Sequence, residues 1–151
     1  MDKATLMPLT DTLLHDAPLG LGVLVLVVLF SGSGVLRIAN SFSNYYKRNG
    51  KGSALWLELR FILAILQVCV VQMLAIVIWT LAVYLPGLVD TATQAFLFVG
   101  SCYTTLGIFS DILPEGWKSL AFYIAFSGLF SFALTTSVVI SMITLMVKSE
   151  K

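Results

Sequence analysis

Charge is scarce in this chain, and so are the residues that carry chemistry. Only 11% of its 151 residues are Asp, Glu, Lys or Arg, against about 25% in an ordinary soluble domain. There is one histidine, and there are two cysteines, Cys69 and Cys102, each in an apolar stretch. One imidazole and two scattered thiols make neither a zinc site nor a disulfide framework. Nine basic against eight acidic residues leave a formal charge of +1 with no basic face, so nucleic acid is excluded as a partner. An enzyme needs a nucleophile beside a base, or paired acids at one site. Here His15 lies near the N-terminus, and Asp90, Asp111 and Glu115 fall in one loop. No catalytic site, cofactor or enzyme activity is expected.

What is abundant is apolar: 58% of the residues are hydrophobic and the mean hydropathy is +0.95. A charge-free run of about 20 residues crosses a hydrocarbon core of about 30 Å. Three such runs occur, at 17–36, 61–85 and 119–147. Trp117 and Lys118 lead into the last, so the third span is placed at 117–147. The length of the last two permits tilt or continuation of the helix into water. The first run is flanked by Asp11, His15 and Asp16, is too long for a signal-peptide core and lacks a small-residue cleavage site, so it reads as a retained helix. The expected class is an all-α membrane protein forming a single membrane domain, multi-pass in the cell (inner) membrane.

Orientation follows from the loops. Residues 37–60 carry Arg37, Lys47, Arg48, Lys51 and Arg60 against Glu58 alone, whereas 1–16 carry Asp2, Asp11 and Asp16 against Lys3. The tail, 148–151, has Lys148 and Lys151 against Glu150. The excess of basic residues puts the first loop and the tail in the cytoplasm and the N-terminus outside. Three spans require the termini on opposite sides, as this assignment gives.

Between the second and third spans the chain is too apolar for an ordinary loop. Pro86 and Gly87 stop one helix, Asp90 or Thr91 can cap another, and about 12 residues of helix cover only some 18 Å, half a membrane. The hydroxyls and glycines of 101–111 predict irregular backbone, and Pro114 with Gly116 turns the chain back. Irregular backbone at membrane depth is tolerated only where protein buries it or where it lines a water-filled cavity. The region 90–111 therefore reads as a re-entrant half-helix and loop.

The strip Ser101-Cys102-Tyr103-Thr104-Thr105-Leu106-Gly107-Ile108-Phe109-Ser110-Asp111 resembles the filter of tetrameric pore-loop cation channels of the potassium-channel type, which reads Thr-Thr-(Val, Ile or Leu)-Gly-Tyr-Gly-Asp. Ile112-Leu113-Pro114 and Gly116-Trp117-Lys118 resemble the segment by which small prokaryotic members enter their last helix, and Gly128 falls roughly where the family carries a gating hinge. The resemblance covers 85–147; the first span has no counterpart in the minimal two-helix channel. It implies a homotetrameric four-fold ring in the lipid bilayer. Thr104, Thr105, Leu106, Gly107, Ile108 and Phe109 would form the ion filter, and Ser110 and Asp111 the pore mouth. A monovalent cation, potassium or also sodium, would sit at Thr105, Leu106 and Gly107.

The strip also departs from the family. Phe109 stands where the second filter glycine belongs, or else Ile108-Phe109-Ser110 replaces Tyr-Gly with one residue inserted. Either way the outer half of the filter is altered, and weakened potassium selectivity is expected. Other assignments stay open on sequence alone. Gly128 fits a hinge or close helix packing. Thr135 and Thr136 fit a cavity lining or hydrogen bonds back to their own helix. Gln67 and Gln72 need partners in an apolar helix, and the small residues of the first span favour close packing. A non-conducting accessory protein that keeps a pore-loop-like fold is the alternative function.

Overall fold

The computed structural model describes residues 3–49, 54–107, 112–114 and 116–148, with the side chains of 17–48, 55–107, 112–114 and 116–147. Among these the chain is all-helical, with four helices in order: α1 (Lys3–Asn49), α2 (Ala54–Tyr84), α3 (Ala92–Tyr103) and α4 (Leu120–Lys148). Three of the four are long and apolar enough to cross a membrane, over Ala17–Arg48, Leu55–Tyr84 and Leu120–Val147. At 1.5 Å per residue α3 is about 18 Å long, whereas α2 and α4 each exceed about 40 Å.

The helices run past the charge-free stretches. The segment 37–49 continues α1, and α2 has begun by Ala54. Charge marks where a helix leaves hydrocarbon and does not end it. The stretch 37–49 contains neither Gly nor Pro, and Lys47 and Arg48 in its last turn complement the helix dipole. Upstream, α1 already starts at Lys3, so part of 1–16 is helical as well.

α1 lies against both α2 and α4, and its small residues decide how closely. A β-carbon added at Gly20 would stand 2.3 Å from the Tyr123 ring, and one at Gly34 would stand 3.1 Å from Val71. Near the other end, Phe42 packs with Ala64 of α2 and Met142 of α4. These pairings make α1 antiparallel to α2 and parallel to α4. The main core gathers where α3 wedges between α2 and α4, around Ala75, Trp79, Phe98, Val99, Tyr103, Leu120 and Ile124. The Trp79 indole N–H donates to the Ser127 hydroxyl at 2.9 Å, which satisfies a buried donor and ties α2 to α4.

Elsewhere the surface is apolar. Leu66, Val70, Met73 and Leu74 of α2 are exposed, as are Phe122, Phe126, Leu129 and Phe130 of α4. The most apolar 18-residue window is only 11% buried in α4, against 28% in α2. So much uncovered apolar area requires lipid or further protein around it.

Gly128 has a packing role here. It lies within unbroken α4, and a β-carbon there would fall 2.1 Å from the Tyr103 carbonyl oxygen, a backbone atom with little room to yield. Gly128→Ala should therefore force α4 off the end of α3, at about 1–3 kcal/mol. In thermal unfolding in mild detergent the midpoint should fall by several degrees. Gly22→Ala, with nothing within 4 Å of its added carbon, should leave the midpoint in place.

Candidate functional site

The site is built at the C-terminal end of α3. After α2, Gly87 takes a left-handed turn at φ +76, and Thr91 caps α3 by accepting the Gln94 N–H at 3.3 Å. Of the two expected caps, Thr91 is therefore the one used. Ala95, Phe98, Val99, Ser101, Cys102 and Tyr103 are buried, which fixes the rotation of the helix about its axis.

The irregular backbone begins later than the sequence suggests, because Ser101, Cys102 and Tyr103 are still helical. Their hydroxyl neighbours support the last turn instead of breaking it. The Ser101 hydroxyl donates to the Phe98 carbonyl at 2.8 Å, and that of Thr104 to the Gly100 carbonyl at 2.7 Å. The helix then closes in a Schellman motif. The Thr105 N–H bonds the Cys102 carbonyl at 2.9 Å, and the Leu106 N–H bonds the Ser101 carbonyl at 2.8 Å. The residue at the left-handed position is Thr105, at φ 62. Glycine usually stands there, and a β-branched side chain at positive φ is an outlier costing about 1–3 kcal/mol. Such strain persists only where the surroundings impose it, and it concentrates at functional sites.

The next peptide turns the same way. The Gly107 N–H also bonds the Ser101 carbonyl, at 3.2 Å. No peptide bond among the described residues is cis, and in a trans peptide the C=O points opposite to its N–H. With the Leu106 and Gly107 N–H groups both aimed at Ser101, the Thr105 and Leu106 carbonyls both point away from α3, side by side. In a strand they would alternate. The turn in the backbone at Leu106, the residue between the two peptides, produces the common direction, and it is flanked by positive φ at Thr105 and at Gly107. No donor among the described residues meets either carbonyl, and Thr105, Leu106 and Gly107 are exposed. The Ser101 carbonyl itself is occupied by the cap. The outward-facing oxygens are the two beyond it, lying in the negative field of the α3 C-terminus.

Beneath this loop a polar network ties α3 to its neighbours. The Tyr103 hydroxyl donates to Gln72 Oε1 at 2.7 Å, and Gln72 Nε2 donates to Thr135 Oγ1 at 2.7 Å and to the Ser131 carbonyl at 3.3 Å. Tyr103 and Gln72 are buried. Gln72 thus has the partner that an amide in an apolar helix requires, whereas Gln67 is exposed. The hydroxyls of Ser31 and Ser131 are buried close by, without a hydrogen-bond partner in good geometry among the described residues.

Of the site residues expected from sequence, the structure brings Thr104, Thr105, Leu106 and Gly107 together at the end of α3. Ile108, Phe109, Ser110 and Asp111 lie outside the described residues. Thr135 belongs to the Gln72 network, and Thr136 bonds back to the Phe132 carbonyl at 2.9 Å. Sequence reasoning missed Tyr103 as the anchor of the loop. The available signal was a hydroxyl-bearing ring directly before the filter-like strip, with two glutamines needing partners in the preceding span. Searches against family models, curated proteins and solved structures find no match to this chain.

Breaking the network should loosen the loop. Gln72→Leu leaves the Tyr103 hydroxyl without its acceptor, at about 1–3 kcal/mol, and should lower the unfolding midpoint more than Tyr103→Phe does. The double variant should cost less than the sum of the two singles, since residues that share a hydrogen bond do not act additively.

Proposed function

We propose that the protein conducts monovalent cations through a pore shared by four copies of the chain, each supplying one loop at 104–111. The observation that carries this reading is the parallel outward direction of the Thr105 and Leu106 carbonyls at the end of α3. Oxygens stacked in one direction, with no donor on them, are what replaces the hydration shell of a cation, and several weak sites in series let the ion leave again. One chain offers a single edge of such a lining, and a closed ring of identical subunits supplies the rest. The uncovered apolar face of α4, with Phe122, Phe126, Leu129 and Phe130 exposed, fits a helix that meets copies of itself. Its exposed hydroxyls at Thr136, Ser141 and Thr144 are satisfied by carbonyls of their own helix, at 2.8–2.9 Å, and would line the cavity below the filter.

In this reading α3 is the re-entrant pore helix and its dipole favours cations at the loop. The four Asp111 carboxylates would concentrate cations at the outer mouth. Potassium permeates, with selectivity weakened because Phe109 stands where the family has its second glycine. The N-terminus is outside and the C-terminus cytoplasmic, so a maleimide applied to intact cells should leave Lys47→Cys unlabelled.

Liposome flux tests the reading. Potassium should pass, with sodium passing at a measurable fraction of its rate. Gly107 takes φ +66 with no atom of the described residues within 4 Å of an added β-carbon, so Gly107→Ala acts chiefly on backbone freedom. It should reduce flux to the protein-free leak while four-fold mass is retained. Asp111→Asn should only slow flux, most at low ionic strength where a surface charge is least screened. Flux through Gly107→Ala equal to that of the parent would refute the filter assignment. A parent that assembles but carries no cation would favour the accessory-protein alternative.

A further inference from the structure

A second feature lies away from α3, in the cleft between α1 and α2. A groove of about 490 Å³ opens there, walled by Gly34, Leu66, Val70 and Val71 and bearing the polar side chains of Arg37, Ser41 and Gln67. It continues into a smaller hollow that shares Ser41 and Gln67 and adds Arg60 and Tyr45. The volume is within the range of ligand sites, about 300–1,000 Å³. The groove is mainly apolar, with Arg37, Ser41 and Gln67 set among Leu63, Leu66, Val70 and Val71, and a second guanidinium, that of Arg60, stands in the adjoining hollow.

Depth matters more than size. Arg60 is the last charged residue before the charge-free run of α2, and its guanidinium is held 4.5 Å from the centre of the Tyr45 ring. Gln67 lies two turns further along α2, about 10 Å deeper. Arg37 shares the groove with Gln67 and Leu66, so it sits beyond the level of Arg60, toward hydrocarbon. It is exposed, and it makes no ion pair with any described residue. An arginine at that depth is costly unless an anion meets it. The Gln67 amide beside it is likewise exposed, with no hydrogen bond among the described residues.

We infer that this groove holds one anionic phospholipid. Its phosphate sits between Arg37 and Arg60, its ester region meets Ser41 and Gln67, and one acyl chain lies along Leu66, Val70 and Val71. The charge pattern selects this occupant. An apolar segment of another protein would cover Leu66 and Val70 but leave both guanidinium groups without a counter-charge, whereas a zwitterionic lipid would bring its own cation to them. Basic pockets between membrane helices on the cytoplasmic side take anionic headgroups in this manner. Gly34 keeps the groove open on the α1 side, since it adds no side chain against Val71.

Native mass spectrometry of the full chain, released from mild detergent with matched-chain phosphatidylglycerol or phosphatidylcholine, tests this directly. Phosphatidylglycerol should be retained on the order of tenfold more tightly, since each arginine near the membrane surface adds an attraction to anionic lipid. The paired variant Arg37→Gln with Arg60→Gln should bind the two lipids equally, and Arg37→Lys with Arg60→Lys should keep most of the preference. Val70→Trp, which fills the apolar part of the groove, should weaken retention of either lipid. Equal retention of the two lipids by the parent protein would overturn the proposal. So would undiminished preference in the Gln pair. A change in oligomer mass caused by the Gln pair without lipid would assign the groove to contact between copies instead.

Discussion

One carbonyl organises the candidate site. The Ser101 oxygen accepts the N–H groups of both Leu106 and Gly107, at 2.8 and 3.2 Å. That double acceptance ends α3, holds Thr105 in a left-handed conformation and turns the next two carbonyls outward together. If either hydrogen bond were lost, the peptides would relax toward the alternation of an extended strand, and the oxygens would no longer share a direction. The strain at Thr105, about 1–3 kcal/mol, is offset by the two backbone hydrogen bonds of the cap and by the burial of the turn before it. Thr105 and Gly107 share the handedness but reach it differently. Gly107 adopts positive φ freely, while Thr105 is forced into it.

The cap in turn needs a fixed α3, and the rest of the fold supplies one. Tyr103 is the hinge point of that support. Its hydroxyl is tied to Gln72 of α2, its ring is 6.0 Å from that of Phe132 of α4, and its carbonyl oxygen leaves room at Gly128 for no side chain. The Trp79 to Ser127 bond closes α2 on α4 just beside it. Buried polar contacts of this type in membrane proteins are each worth only about 0.6–2 kcal/mol. Their value here lies in direction, because they prevent α3 from rotating or sliding and so keep the loop in register with the core.

How much of this was legible in the sequence varied with the physics involved. The three long helices follow from charge-free length, and the 12-residue α3 follows from Pro86, Gly87 and the Thr91 cap, all local signals. The ends of helices were less legible. Basic residues at 37–49 mark the edge of hydrocarbon, yet α1 continues to Asn49 because nothing there breaks a helix. Ser101 and Thr104 read as breakers because hydroxyls compete with backbone hydrogen bonds, but in place their hydroxyls bond back within the turn. The left-handed Thr105 was not legible at all. A β-branched residue carries the opposite preference, and only tertiary constraint puts it there. The α1–α2 groove was also hidden, since it depends on which faces of two helices meet, and single-chain periodicity does not specify that.

The central claim is that the Thr105 and Leu106 carbonyls face a cation shared among four chains. A high-resolution structure of the assembled protein in lipid, recorded in potassium and again in a large impermeant cation, tests it most directly. The account predicts a four-fold ring with density on the axis, coordinated by those two carbonyls and present only with potassium. Carbonyls turned away from the axis, or an assembly without four-fold symmetry, would contradict it.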